Sequence, residues 1–182
     1  IIFWGNKEDK KKSLVHDNLT GCITIFKSKI ENLKFLSNNS TCEDAINFIN
    51  SSGNIQSMTV NDSLSDAVDA DFSKLIFDNV TINRASNDCF DLSYGNYVLN
   101  FGSFLNCKDK AISVGEKSSL IIKEIMTQNS DIGIASKDSS IVEVEKANIS
   151  SVKHCLAAYN KKQEFYGGSI KVNKFNCKKY LH

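Results

Sequence analysis

The sequence predicts an all-β solenoid, a parallel β-helix of about seven 22-residue coils, and three observations carry that expectation. The first is a repeat without gaps: Ala45, Ala67, Cys89, Ala111, Gly133 and Cys155 stand 22 residues apart, and all are small. The second is alternation inside the repeat. The next column, Ile46, Val68, Phe90, Ile112, Ile134 and Leu156, is apolar, and so for the most part is Phe48, Ala70, Leu92, Val114, Ser136 and Ala158 two positions on. Between them lie Asn47, Asp69, Asp91, Ser113, Ala135 and Ala157, polar in four of six, so a period of two is nested in a period of 22. The third is composition: no proline beside 20 Asn and 23 Ser describes a chain whose turns are closed by side-chain hydrogen bonds instead of pyrrolidine rings.

Each unit supplies three short strands. After the strand just described comes an apolar patch such as Leu75-Ile76-Phe77, Tyr97-Val98-Leu99 or Leu120-Ile121-Ile122. A third follows, as in Val80-Thr81-Ile82 and Phe104-Leu105, leaving room only for tight turns. Successive coils then stack about 4.8 Å apart with like residues above like residues. Asp66-Ala67-Val68-Asp69 returns as Asp88-Cys89-Phe90-Asp91 because the chain has made one circuit. Asn61, Asn83, Asn106 and Asn129, stepping by 22, 23 and 23, mark one bend and a candidate Asn ladder. A leucine-rich repeat has a similar unit length, but its spaced leucines and helical segment are missing.

Residues 22–177 form the expected solenoid, with residues 1–21 an N-terminal cap or the remnant of a preceding coil and 178–182 a C-terminal tail. Open solenoids need such ends because their terminal strands expose unpaired edges. The opening IIFWGNKEDKKK lacks Met and places its charges after the apolar run, so it reads as a mature or excised segment instead of a secretory signal.

The 22-residue β-unit, the small-residue column and the Asn bends resemble the right-handed parallel β-helix proteins of the broad pectate-lyase-like superfamily over about residues 22–177. In enzymes of that group, outward carboxylates on adjacent coils hold calcium against an acidic sugar while a nearby Lys or Arg removes a proton. The resemblance thus implies a candidate calcium site at Asp69 and Asp91. Two departures weaken the catalytic implication: the coils are nearly uniform, with no long insertion to wall a groove, and without proline the Asp-Pro-His element of mannuronan epimerases is absent.

Charge narrows the partners. A formal net charge of +1 argues against a general nucleic-acid binder, and no run of 18 apolar residues is present to span a membrane. The charge is uneven: residues 62–91 hold seven Asp against Lys74 and Arg84, and residues 161–182 hold six Lys against Glu164. With Val68 and Ala70 pointing inward, Asp69 and Asp71 point outward, and so does Asp91 one coil on. Carboxylates about 5 Å apart repel, so a cation, a shared proton or solvent is needed.

For proton transfer the candidates are Asp69, Asp71 and Asp91, with Lys137 in the column of Asp71, three coils or about 14 Å away. Lys108, Lys110 and Arg84 are further cations near the bend. Two carboxylates about 5 to 9 Å apart also suit a glycosidase, a spacing any stacked pair meets. His16, His154 and His182 are too dispersed for zinc, no CxxC occurs, and His154 and Cys155 point to opposite faces. Phe72 and Tyr94 share a column at the end of the Asp-bearing strand, and Tyr159 follows in the neighbouring column, a set suited to stacking on sugar rings.

Cys155 and Cys177 fall in one column on adjacent coils, within disulfide range, and Cys22 and Cys42 come close to that relation, offset by two residues. Cys89 and Cys107 have no neighbour in their columns. Buried thiols in a ladder are stable unbonded, so free thiols are the expectation.

Two functional readings follow. The first is a non-catalytic β-helix module binding a polysaccharide or a protein partner through Asp69, Asp71, Asp91, Tyr94 and Tyr159, within a larger extracellular or cell-surface protein. The alternative is a small polysaccharide-active enzyme, a lyase, epimerase or glycoside hydrolase, using the same Asp residues. Neither requires a cofactor other than the candidate calcium.

Overall fold

The computed structural model describes residues 1–4 and 19–180. They form twelve strands and no helix: β1 (Ile2–Trp4), β2 (Gly21–Phe26), β3 (Lys29–Ser40), β4 (Asp44–Ile49), β5 (Ser52–Ser63) and β6 (Asp66–Asp71). After them come β7 (Lys74–Ala85), β8 (Phe90–Ser93), β9 (Asn96–Gly115), β10 (Ser119–Lys137), β11 (Ile141–Tyr159) and β12 (Ser169–Lys179). The pairings of these strands are parallel, and the chain winds as a β-solenoid with coils of about 22 residues.

One file of stacked strands runs through β2, β4, β6, β8 and the C-terminal parts of β9, β10 and β11. Its register aligns Ile23, Ile46, Val68, Phe90, Ile112, Ile134 and Leu156. That file closes about six turns, one fewer than expected, because among the described residues no further strand of this face follows β12. At the other end β1 pairs with β3, Ile2 beside Leu36. Most of the expected N-terminal cap, including the KEDKKK run and His16, lies outside the described residues, as do Leu181 and His182 of the tail.

The corners are turned by residues in the left-handed region, singly in most coils and as the pairs Glu116-Lys117 and Asp138-Ser139 in two. One corner column is Asn39, Asp62, Arg84, Asn106, Asn129 and Ser151, and the other begins Lys27, Asn50, Phe72 and Tyr94, all with φ between 48° and 67°. Asn and Asp tolerate this conformation through local hydrogen bonds. At the first corner Asn61 donates to Asn38 at 2.9 Å, while Asn129 donates to Asn106 at 2.7 Å and Asn106 to Asn83 at 3.3 Å. The Asn ladder is thus present as two runs. A serine ladder lines the second corner, where the backbone N–H groups of Ser28, Ser51, Gly95 and Ser118 donate to the hydroxyls of Ser51, Ser73, Ser118 and Ser140.

Gly95 stands where that ladder lacks a hydroxyl, and the Tyr97 hydroxyl fills the space, 2.8 Å from the Ala70 carbonyl and 2.9 Å from that of Ser93. A Cβ on Gly95 would lie 2.4 Å from the Ser73 carbonyl oxygen and 2.3 Å from the Tyr97 hydroxyl. Gly95→Ala should therefore destabilise the fold by about 1–3 kcal/mol through overpacking. Urea unfolding checks this; an unchanged midpoint would mean that the corner relaxes freely.

Inside, Phe35, Phe48, Phe77, Phe90 and Phe104 form a chain of ring contacts with centroids 4.9 to 6.1 Å apart. The small-residue column is buried where the strand enters its face; a Cβ on Gly133 would meet the Cys155 carbonyl oxygen at 2.7 Å and Ile149 at 2.8 Å. The expectation of free thiols is overturned, because all six cysteines are bonded: Cys22–Cys42, Cys89–Cys107 and Cys155–Cys177. Cys89 and Cys107 meet across a corner, with Cα atoms 5.4 Å apart, so no shared column is needed. Closing loops of 18 to 22 residues, each bridge contributes about 3 kcal/mol in the chain-entropy picture.

Candidate functional site

The outward positions of the first face form two adjacent rows. One aligns Asn47, Asp69, Asp91 and Ser113, and the other Ile49, Asp71, Ser93 and Gly115. Buried Val68, Ala70, Phe90 and Leu92 fix these orientations by anchoring the strands inward. Asn47 Nδ2 donates to Asp69 Oδ2 at 2.8 Å. Burial, reinforced by the charges of Asp71, Asp44, Asp91 and Asp66, pushes the Asp69 carboxyl up to about 9. Asp71 is raised as well, by burial first and then by Asp91. A retained proton, then, is how Asp69 tolerates its neighbours.

A second acidic column, unremarked by sequence reasoning except as a repeat, stands three residues earlier. Asp44 is beside Asp66 in the ladder. Asp66 Oδ1 accepts the Asp88 backbone N–H at 2.8 Å and Asn87 Nδ2 at 2.7 Å, and Asp88 Oδ1 accepts the Lys110 backbone N–H at 2.9 Å. Asp66 and Asp88 thus each cap the next coil, while Asp44 accepts the Thr20 hydroxyl. Burial is the main cause that raises Asp44 to about 7 and Asp66 to about 6, and it raises Asp88 too. The Lys110 ammonium, 3.2 Å from Asp88 Oδ1, ends the column and also pairs with Asp109.

Lys137 comes closer to the acids than its coil position suggests. Its side chain, only 4% exposed as a residue, lies beside Gly115, where a Cβ would be 3.4 Å from Lys137 Cε. The ammonium reaches to 3.9 Å from Asp91 Oδ1, an ion-pair distance too long for a hydrogen bond. Next to it, Glu116 accepts from the Ser93 hydroxyl and pairs with Lys162, each at 2.6 Å; burial opposes its ionisation, but these contacts hold its carboxyl below the usual range. Arg84 is occupied by Asp62 at 2.5 and 2.7 Å, and Lys108 is exposed, so neither joins the acids.

Phe72 and Tyr94 stack at the corner, centroids 4.7 Å apart and planes within 7°, and are 58% and 42% exposed. Their φ values of 51° and 49° are unusual for bulky residues and cost about 1–3 kcal/mol each. Phe165 approaches Tyr94 edge-on at 6.5 Å, with the Lys117 ammonium 5.7 Å from the Phe165 centroid. Tyr159 instead pairs with Lys137 in the ladder and makes no ring contact among the described residues. His154 is exposed beside disulfide-bonded Cys155, which rules out a Cys-His dyad.

Calcium takes about six to eight oxygen ligands. Asp69 and Asp91 offer two carboxyl groups, one of which keeps its proton at neutral pH, and that is a poor donor set for this ion. Among the described residues no group of three or more His, Cys, Asp or Glu side chains is placed to hold a metal, and no helix is long and apolar enough to cross a membrane. No protein-family model, curated protein or solved structure matches this chain. Likeness to known proteins thus adds nothing to the geometry.

Proposed function

We propose that the chain is a non-catalytic solenoid module that binds a polysaccharide along the face carrying Asp69, Asp71 and Asp91. One observation carries this reading: an exposed aromatic pair, Phe72 and Tyr94, held in a strained corner conformation at the end of the strands that carry Asp69, Asp71 and Asp91. A protonated carboxyl both donates and accepts, which suits sugar hydroxyls, and the outer face of Phe72 offers a surface for a pyranose ring. Three disulfides suit an oxidising compartment and hence an extracellular or cell-surface setting. Membership of the right-handed, pectate-lyase-like β-helix proteins belongs to the same proposal.

The test is retention on a panel of immobilised neutral, acidic and basic polysaccharides. The parent should bind at least one, and Phe72→Ala should weaken that binding about tenfold, the value of one lost ring contact. Retention on none of them would defeat the reading and leave a protein partner as the ligand of this face.

A second reading rests on the split between Asp69, which keeps its proton, and Asp91, which faces Lys137. Neighbouring carboxyls in different surroundings, about 5 Å apart by strand spacing, are the arrangement of an acid and a nucleophile in glycoside hydrolysis. New reducing ends or unsaturated products from any polysaccharide would replace the non-catalytic reading with this one.

A further inference from the structure

We propose that the glycan is a polymer of amino sugars, whose ammonium groups occupy the positions beside Asp66, Asp69 and Asp71 that lysines occupy beside Asp88 and Asp91 one coil further on. This rests on the polysaccharide reading and specifies its ligand.

The chain supplies its own precedent. Each acidic column ends on a lysine: Lys110 on Asp88 at 3.2 Å and Lys137, lying beside Gly115, 3.9 Å from Asp91. Towards the N-terminal coils the pattern stops. Among the described residues no ion pair is formed by Asp44, Asp66, Asp69 or Asp71. Three half-buried carboxyl groups on β6 are thus left without the ion-pair partner that their counterparts possess, whereas Asp44 on β4 is buried and accepts the Thr20 hydroxyl.

Two further features point to a sugar as the bearer of that cation. In the row of Asp69 and Asp91, Asn47 Oδ1 and Ser113 Oγ are buried polar atoms without a hydrogen-bond partner, at either end of the acids. They call for hydroxyl or amine donors, as buried polar groups are costly unpaired. The corner aromatics provide the rest, and an ammonium already sits over a ring there, Lys117 on Phe165. The repeat matches as well: coils rise about 4.8 Å, close to the length of one unit in an extended β-1,4-linked chain, so one sugar can face each coil. An acidic glycan would add negative charge where the carboxyls already retain protons to escape one another.

Binding should release protons. An ammonium beside a carboxyl favours its charged form. The groups involved are Asp66, Asp69 and Asp71 on β6, and the titratable groups facing them are Asp44, Asp88, Asp91, Glu116, Lys110, Lys137 and Lys162.

The experiment is calorimetric titration at pH 6 with a six-sugar β-1,4-glucosamine oligomer, in two buffers of different ionisation enthalpy. The expected result is binding with net proton release, at least tenfold tighter than for the fully N-acetylated oligomer of the same length. Asp69→Asn combined with Asp71→Asn should weaken it at least tenfold and reduce the proton release. Equal binding of the N-acetylated oligomer, or proton uptake, overturns the inference while the polysaccharide reading stands. The same holds if only a neutral or acidic glycan binds. An oligolysine that binds as tightly would show that charge alone suffices and overturn the sugar assignment. If no glycan binds at all, the inference and the polysaccharide reading fall together.

Discussion

Phe90→Ala should cost about 3–5 kcal/mol of stability. Phe90 is fully buried, and its ring contacts Phe77 at 4.9 Å and Phe104 at 5.8 Å, in the middle of the aromatic chain that runs along the core. Val68 and Ile112 hold the same row on the coils to either side. A solenoid transmits stability only between neighbouring coils, so a cavity here weakens the joint between the two halves of the stack. Collapse is resisted by the Cys89–Cys107 bridge beside it. Urea unfolding gives the value, and a loss of less than about 1 kcal/mol would show that the row is not the packed core described.

Stability should rise as pH falls from about 9 to about 4. Asp69, Asp44 and Asp66 have carboxyls raised to about 9, about 7 and about 6 in the folded protein, chiefly by burial. A raised carboxyl binds its proton more tightly in the folded state, so its contribution is complete below the unfolded value near 3.9 and is lost as pH climbs through the folded value. Glu116, held low by Lys162 and Ser93 against its burial, has the opposite sign and loses its contribution as pH falls below its ordinary range. The optimum should thus lie near pH 4 to 5. Asp69→Asn replaces the protonated carboxyl by a neutral amide of the same shape, and at pH 8 it should unfold at a higher temperature than the parent. Thermal unfolding from pH 4 to pH 9 measures both; a flat profile in the parent, or a lower melting temperature for the variant at pH 8, would refute the account.

Much of the fold was legible because the signal is redundant. Ile46, Val68, Phe90, Ile112, Ile134 and Leu156 repeat at an interval that the coil geometry enforces, and the alternation around them fixes which side chains face out. The outward placement of Asp69, Asp71 and Asp91 followed from the same rule. Contacts made by side-chain reach across coils did not. Coil spacing put Lys137 about 14 Å from Asp71 along the axis, but its long side chain, lying beside Gly115, extends back to Asp91. Cys89 and Cys107 pair across a corner, which a column-by-column comparison does not register. The capping role of Asp66 and Asp88 was hidden for another reason: the repeat shows that they align, not that each accepts the backbone N–H of the following coil. Nor does residue type announce that Phe72 and Tyr94 turn a corner in a conformation usually left to Asn or Gly.

At neutral pH Asp69 holds its proton. Carbon-detected NMR titration of the Asp carboxyl groups tests it directly, since each side-chain carbon shifts as its own group ionises. Asp69 should titrate at about 9, with Asp44 at about 7 and Asp66 at about 6. Titration of Asp69 near the unperturbed value of about 3.9 would contradict the account.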